Sequence, residues 1–183
     1  MEQLTQLIPD NAGWKKKRNE FETKIASLPA ERAQAAVRTA FEAGRFKTAA
    51  RLQAEAAKTV ERVDRRQTHK LGPATASALL QLSWYQLFSR EFKQALASSE
   101  RAIAVDPENL AYATNKAHAL MFLGRPKAAQ DVYHKYKGRR VSETDKLWEQ
   151  VILEDFAELE KRRLIHPQMA QIKKLLGSKE PAR

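Results

Sequence analysis

The sequence predicts an all-α protein, built as an α-solenoid of antiparallel helix pairs. Three observations indicate this fold class. Alanine, glutamate, lysine, arginine and leucine dominate the 183 residues, whereas glycine and proline number only 6 and 7. Apolar residues recur at steps of three and four along the chain, which is the period of an amphipathic helix. Equivalent residues also recur 34 apart, which is the length of a repeat made of two helices.

The 34-residue recurrence is clearest across residues 79–136. Ala95 and Ala129 are the small residues in the second helices of two successive pairs. Small side chains are expected there, because helices whose axes lie about 8–10 Å apart leave no room for large ones. Arg90 and Gly124 fall in the two turns. We therefore predict that Ala95 and Ala129 are fully buried where the helices cross.

This pattern resembles the tetratricopeptide repeat (TPR), although Gln86 and Leu120 stand where the first helix of that repeat carries an aromatic residue. The resemblance covers roughly residues 30–160, and the alanine- and arginine-rich sequence is similar to those of bacterial members of the family. It implies a solenoid of about three repeats, with capping helices at the N-terminal and C-terminal ends. A bundle of generic helical hairpins is the alternative that the same periodicity allows.

The N-terminal part of the chain divides into three segments. Residues 1–29 are predicted to form an N-terminal helix. Residues 30–66 form a first degenerate repeat around Gly44, which precedes Arg90 by 46 residues, so that an insertion of 12 residues extends its second helix. Residues 67–75 form a basic linker that ends at Gly72 and Pro73, a pair typical of turns.

Two central repeats and a C-terminal cap complete the chain. The central repeats occupy residues 76–141, with helices predicted at about 74–89, 91–105, 108–123 and 126–137. Residues 142–183 hold a long helix from about Glu143 to Arg163, a short last helix and a tail. This final part resembles the capping helices that close TPR solenoids, whose ends are expected to be atypical.

Several classes of function find no support in the sequence. No cysteine is present, so no disulfide, thiolate metal site or cysteine nucleophile can form, which agrees with a reducing compartment. The four histidines have no paired ligand spacing, and no glycine-rich phosphate loop occurs. We expect a protein that is not an enzyme and holds no metal or cofactor. Without a secretion signal, or an apolar stretch approaching about 18 residues, a cytoplasmic location without a membrane span is expected.

The net charge of +11 predicts a basic surface. Residues 1–75 carry 15 Lys and Arg against 9 Asp and Glu, whereas residues 143–160 carry seven acids and only Lys146. Basic surfaces attract nucleic acid and acidic proteins alike, and a merely solvated surface is the alternative. The candidate basic patch consists of Lys15, Lys16, Lys17, Arg18, Arg65, Arg66, Lys70, Arg139 and Arg140.

The resemblance implies that the first helices of successive repeats line a concave groove, which binds a peptide or helix. By position, the candidate groove residues are Gln81, Trp84, Phe88, Asn115, His118, Phe122 and Trp148, with Gln34, Arg38 and Ile152 along the same face. Leu80, Trp84, Thr114 and Asn115 occupy the places of the carboxylate clamp of chaperone-binding members, and only Asn115 agrees. Aromatic anchors favour an apolar helix or extended peptide instead. For Trp148, packing as core beneath a terminal helix stays an open alternative.

The preferred hypothesis is therefore an adaptor or chaperone-like module that binds a segment of another protein. The alternative is binding of nucleic acid or an acidic partner through the basic surface. Salt separates these hypotheses, because counterion release makes the affinity for nucleic acid fall steeply as salt rises.

Overall fold

The computed structural model describes residues 16–17, 30–141 and 144–177. The predicted helix around Trp14, the basic residues Lys15 and Arg18, and a predicted capping residue, Ser142, lie outside this part of the chain. The described residues are predominantly helical, which confirms the all-α prediction.

From residue 30 onward, the described chain contains eight helical segments and one short strand pair. They are α1 at residues 30–42, α2 at Phe46–Thr68, α3 at Pro73–Phe88, α4 at Phe92–Val105, α5 at Ala111–Phe122, α6 at Pro126–Lys135, β1 at Arg140–Val141, β2 at Lys146–Leu147, α7 at Trp148–Lys161 and α8 at Gln168–Gly177.

Three helix pairs, α1–α2, α3–α4 and α5–α6, are joined by turns of one geometry. Gly44, Arg90 and Gly124 have positive φ angles of 71°, 63° and 68°. In each turn this residue's amide donates to the carbonyl three residues earlier, and the next amide donates to the carbonyl five residues earlier. This is the Schellman arrangement, which ends a helix on a left-handed residue. Helix α7 ends in the same way at Arg163, where φ is 60°.

The small residues predicted at the helix crossings are buried. Ala95 and Ala129 are each 0% exposed, which confirms the prediction for both, and Ala49 of the first pair is also 0% exposed. Gln86 is buried as well, and it accepts a hydrogen bond from the Ser98 hydroxyl at 2.8 Å. A polar residue is tolerated at this core position because its oxygen has a partner.

Consecutive helices pack against one another from α2 to α6, and α3 also contacts α5. Helix α5 is the most enclosed of these, because ten of its 12 residues are buried. One large core cluster joins α1 to α8, and a smaller one lies between the N-terminal half of α3, α2 and the start of α5.

The long C-terminal helix begins later than predicted, at Trp148 instead of about Glu143. The chain before it forms a strand pair, in which Arg140 lies opposite Leu147. Asp145 adopts a left-handed φ of 53° in the connection. The Trp148 amide donates to the Arg139 carbonyl at 2.8 Å. These contacts hold the backbone extended where the periodicity predicts helix.

Helix α2 extends to Thr68, which agrees with the expectation that an insertion of 12 residues lengthens the second helix of the first pair. Only residues 69–72 separate it from α3, so the connection is shorter than the predicted linker 67–75. Asp64 closes this connection, because its Oδ2 accepts hydrogen bonds from the Thr75 hydroxyl at 2.6 Å and the Gly72 amide at 2.9 Å. The Thr75 bond, followed by the Gly72 bond, holds the pKa of Asp64 below its ordinary value.

Candidate binding face

The structure divides the seven predicted groove residues into exposed and buried side chains. Gln81 is exposed, and Trp84 and Phe122 are half-buried. The others are buried, and they are Phe88, Asn115, His118 and Trp148. The expectation that Phe88, Asn115 and His118 line an open groove is therefore wrong, whereas for Trp148 the structure agrees with the alternative of packing as core.

Asn115 is buried because it joins α5 to α3. Its Nδ2 donates to the Ser83 hydroxyl at 2.8 Å and to the Leu80 carbonyl at 3.0 Å. Thr114, at the neighbouring clamp position, is also buried and donates to the Ala111 carbonyl. Neither side chain is available to a peptide carboxylate, which agrees with the expectation that the clamp is absent.

His118 is fully buried because three helices meet at its ring. Its Nε2 lies 3.1 Å from Asp155 Oδ2 on α7, and its Nδ1 lies 2.8 Å from the Tyr133 hydroxyl on α6. The Phe156 ring lies 5.3 Å from the imidazole. Since an ionised carboxylate only accepts, Nε2–H donates to Asp155, and Nδ1 shares a hydrogen bond with the Tyr133 hydroxyl.

The hydroxyl of Tyr133 stays protonated in this network. Burial raises the pKa of Tyr133 well above its ordinary value, and the negative charge of Asp155 raises it further. The three side chains therefore form one hydrogen-bonded chain, from the Tyr133 hydroxyl through the His118 imidazole to the Asp155 carboxylate. Both Tyr133 and His118 are fully buried, so the chain ties α7 to α5 and α6 and offers no surface for a substrate.

Helix α7 crosses the face on which the groove was predicted. At its start, Trp148 Nε1 donates to the Tyr133 carbonyl on α6 at 3.0 Å. At its middle, Asp155 meets His118 on α5. Just past its end, the Arg162 guanidinium lies 4.0 Å from the centre of the Phe41 ring on α1 and donates to the Phe41 carbonyl at 3.1 Å. The chain's own helix thus covers the α5 part of that face and buries Trp148 as core.

An open part of the face remains on α1 and α3. It consists of Arg38, Gln81, Trp84 and Tyr85, and we name it the Trp84 face. The Trp84 ring packs edge-on against Phe88 at 4.9 Å and lies 6.5 Å from His118. Tyr85 packs edge-on against Phe41 at 5.1 Å, and its pKa is raised by burial. Both half-buried rings are therefore supported from beneath by the core. Phe122 does not belong to this face, because it stacks on Phe92 and meets His166.

The described members of the predicted basic patch belong to separate segments of the chain. Lys16, Lys17, Arg66 and Lys70 are exposed. Arg65 is paired with Glu61 at 3.1 Å, and hydrogen bonds from Arg101 and then Arg65 hold the pKa of Glu61 below its ordinary value. Arg140 is paired with Asp145, and Arg139 lies over the Tyr136 ring. Arg65 and Arg66 lie in the last turn of α2, whereas Arg139 and Arg140 follow the end of α6.

A second basic region lies at the hairpin turns, where periodicity alone does not reveal it because the period aligns apolar positions and not charges. Each hairpin turn carries basic residues at matching places, and Lys47, Lys93 and Lys127 all lie three residues after the left-handed residue. With Arg45, Arg90, Arg125 and Arg163, they form what we name the hairpin edge. Comparing charges at the repeat spacing would have found it.

Comparisons with protein-family models, with curated proteins and with solved structures found no match to this chain. In the part of the chain that the structure describes, no helix is long and apolar enough to cross a membrane. The same residues contain no group of three or more potential metal-ligating side chains that could hold a metal ion.

Proposed function

We propose that this chain is a non-enzymatic, TPR-like solenoid that binds a helix or extended segment of another protein on the Trp84 face. The observation that carries the proposal is the position of Trp84. Its ring is half-buried and supported by Phe88, the exposed Gln81 lies one turn earlier on the same helix, and the exposed Arg38 of α1 acts on the neighbouring Tyr85. A supported aromatic side chain with a polar rim is the usual arrangement of an interface hot spot.

The repeated hairpin geometry supports the TPR-like interpretation. The three pairs share a left-handed turn residue, the same two turn hydrogen bonds and a fully buried alanine in the second helix. Each pair is amphipathic and covers its apolar face by packing on the next, as the helix contacts from α2 to α6 indicate. This arrangement leaves first helices side by side, as α3 and α5 are.

Helix α7 limits the size of the partner segment. Because α7 occupies the α5 part of the face, a partner reaches α1 and α3 only. The proposed segment is therefore short, with one or two apolar side chains that pack on Trp84 and Tyr85. The hydroxyl of Tyr85 and the amide of Gln81 supply hydrogen bonds at the rim.

Site-specific crosslinking tests this proposal. A photoreactive amino acid replaces Gln81, and another replaces Ala104, an exposed residue on the second helix of a pair that serves as the control position. We expect a discrete protein adduct from position 81 and none from position 104. Trp84→Ala should remove the adduct, because loss of a hot spot weakens binding by roughly 2 kcal/mol or more, whereas Trp84→Phe should retain most of it.

Two results would reject the proposal. One is an adduct at position 81 that persists in Trp84→Ala while the variant keeps its native fold. The other is the same adduct profile at positions 81 and 104, which indicates contact without a defined face. Raised salt should leave the adduct largely unchanged, because apolar contacts respond little to counterions.

A further inference from the structure

The turns that end α1, α3, α5 and α7 lie along one edge of the molecule. A surface pocket joins the first two turns, since residues 44–48 and 88–90 line it together. The parallel stack of Phe92 on Phe122, with centres 4.9 Å apart, joins the second turn to the third. Arg162 on the Phe41 ring brings the end of α7 to the first turn.

This edge carries a concentration of uncompensated positive charge. The seven cations of the hairpin edge are exposed, and no ion pair engages any of them among the residues that the structure describes. Four acids lie near these cations. Glu42 and Glu158 bind Arg162, and Glu160 binds Lys173. Glu91 keeps its negative charge beside Arg90, because the Ser89 hydroxyl that donates to it is neutral. The seven cations outnumber these acids, so the edge keeps a net positive charge.

The backbone adds to this field. Helices α2, α4 and α6 begin at the hairpin edge, and none of the three has a side-chain cap. Their first turns hold no acid, although Glu91 stands at the N-cap of α4. Their free amide groups and dipoles thus point toward the same side as the cations. This contribution only reinforces the charged side chains.

Aromatic rings lie between the cations. Phe46, Phe92 and Phe122 are half-buried at the first three turns. The pocket between the first two turns has a volume of about 410 Å³, with Phe46 and Phe88 in its wall and Arg45, Lys47 and Arg90 around it. A flat apolar wall beside cations accommodates a base together with its phosphate, and such a combination is typical of proteins that bind single strands.

We propose that the hairpin edge binds single-stranded nucleic acid. Phosphates pair with the arginines and lysines of successive turns, and one base packs on Phe46 in the pocket. Four of the seven cations are arginines, whose planar forks match phosphate oxygens. Neighbouring helix pairs lie about 10 Å apart, so the edge spans a site at the low end of the roughly 4–16 nucleotides that small single-strand-binding domains cover.

This proposal differs from the earlier nucleic-acid alternative in its residues. The basic patch of that alternative includes Arg65, Arg66 and Lys70, which lie at or just past the opposite end of α2 from Lys47. The difference supplies a matched control. One triple variant replaces three lysines of the hairpin edge by glutamine, and the other replaces three cations at the far end of α2. Both remove three positive charges, so their affinities differ only if binding is localised at one of the two places.

Fluorescence anisotropy with labelled 12-nucleotide poly(U) RNA and poly(dT) DNA tests the proposal on the full chain. The variants are the triple Lys47→Gln, Lys93→Gln, Lys127→Gln and the control triple Arg65→Gln, Arg66→Gln, Lys70→Gln. We expect the first to weaken binding about 10-fold or more and to reduce the slope of log affinity against log salt by about 2, since each phosphate contact contributes about 0.7. The control should change affinity by no more than about 3-fold.

Phe46→Leu tests the base contact separately. We expect roughly a 5-fold or greater loss of affinity, the low end of what one stacked base contributes, with the salt slope unchanged. Circular dichroism establishes that each variant is folded. No binding of either oligonucleotide at low salt overturns the proposal, and so does an equal loss in both triple variants. Preferential binding of poly-glutamate over both oligonucleotides overturns it as well, because the edge would then serve an acidic protein.

Discussion

Replacing Arg162 by methionine should release the end of α7 from α1. Arg162 joins residues more than a hundred positions apart, because it stacks on the Phe41 ring, donates to the Phe41 carbonyl and pairs with Glu42 and Glu158. Its side chain is only 12% exposed. Methionine retains the apolar stem and removes the charge and every hydrogen bond.

The magnitude follows from these contacts. A partly desolvated cation over a ring contributes about 1–2 kcal/mol, and a hydrogen bond from a charged donor to a carbonyl about 1.5 kcal/mol or more. The pair with Glu42 adds little, because that carboxylate is 65% exposed and exposed pairs are worth about 0–1 kcal/mol. The Phe41 carbonyl keeps the Gly44 amide as a partner. We expect Arg162→Met to lower the free energy of unfolding by about 2.5–3.5 kcal/mol.

Urea denaturation followed by tryptophan fluorescence measures this loss, and amide exchange across α7 localises it. Arg163→Met is the matched control, because the neighbouring residue is exposed and has no ion pair among the described residues. Its effect should stay within about 0.5 kcal/mol. Equal losses in both variants, or an unchanged Arg162→Met, would refute the assignment of Arg162 as the contact that holds α7 in place.

Three further predictions concern the packing and the turns. Ala95→Leu should lower the unfolding free energy by roughly 1–3 kcal/mol through overpacking, and an unchanged thermal midpoint would contradict the close helix crossing. Arg90→Gly should raise the unfolding free energy by about 0.5–1 kcal/mol, because glycine adopts the left-handed conformation without strain. Gly124→Ala should lower the unfolding free energy by about 1 kcal/mol through backbone strain alone, since nothing lies within 4 Å of the added Cβ. Chemical denaturation of the two variants measures both changes. Because the pKa of Asp64 is lowered in the folded state, the carboxylate stabilises the fold fully above the ordinary carboxyl range, and this stabilisation is lost as pH falls below about 4. The Asp64→Asn variant should therefore lose less stability than the parent between pH 7 and pH 3. Parallel pH profiles of the unfolding free energy would contradict this.

The helix pairs could be predicted from sequence because their signals are local. Left-handed turns require glycine or a tolerant residue, and the alanines at the crossings recur at the repeat spacing. The predicted helix at about 74–89 agrees closely with Pro73–Phe88 for this reason. The strand pair before α7 was missed because acidic residues followed by Leu147 and Trp148 satisfy a helical period equally well.

The course of α7 could not be predicted, because it depends on long-range contacts. An apolar stripe indicates only that a helix buries one side, and it does not identify the surface that receives it. Asp155 contacts His118 on α5, and Arg162 contacts Phe41 on α1, only because the tertiary fold brings these distant segments together. Trp148 illustrates the ambiguity, since the same side chain suits a groove or a core, and the structure buries it.

The two proposed surfaces are adjacent, and Phe88 belongs to the support of both. Its ring packs on Trp84 at 4.9 Å on one side and lies 5.5 Å from Phe46 on the other. A Phe88 variant would disturb both faces and could not separate them. Variants of Trp84 and Lys47 can separate the two faces, because Trp84 is a half-buried ring without charge and Lys47 is an exposed cation outside the core. Loss of the crosslink in Trp84→Ala with an unchanged salt slope for RNA, and the converse in the lysine triple, would show that one scaffold holds two independent binding surfaces.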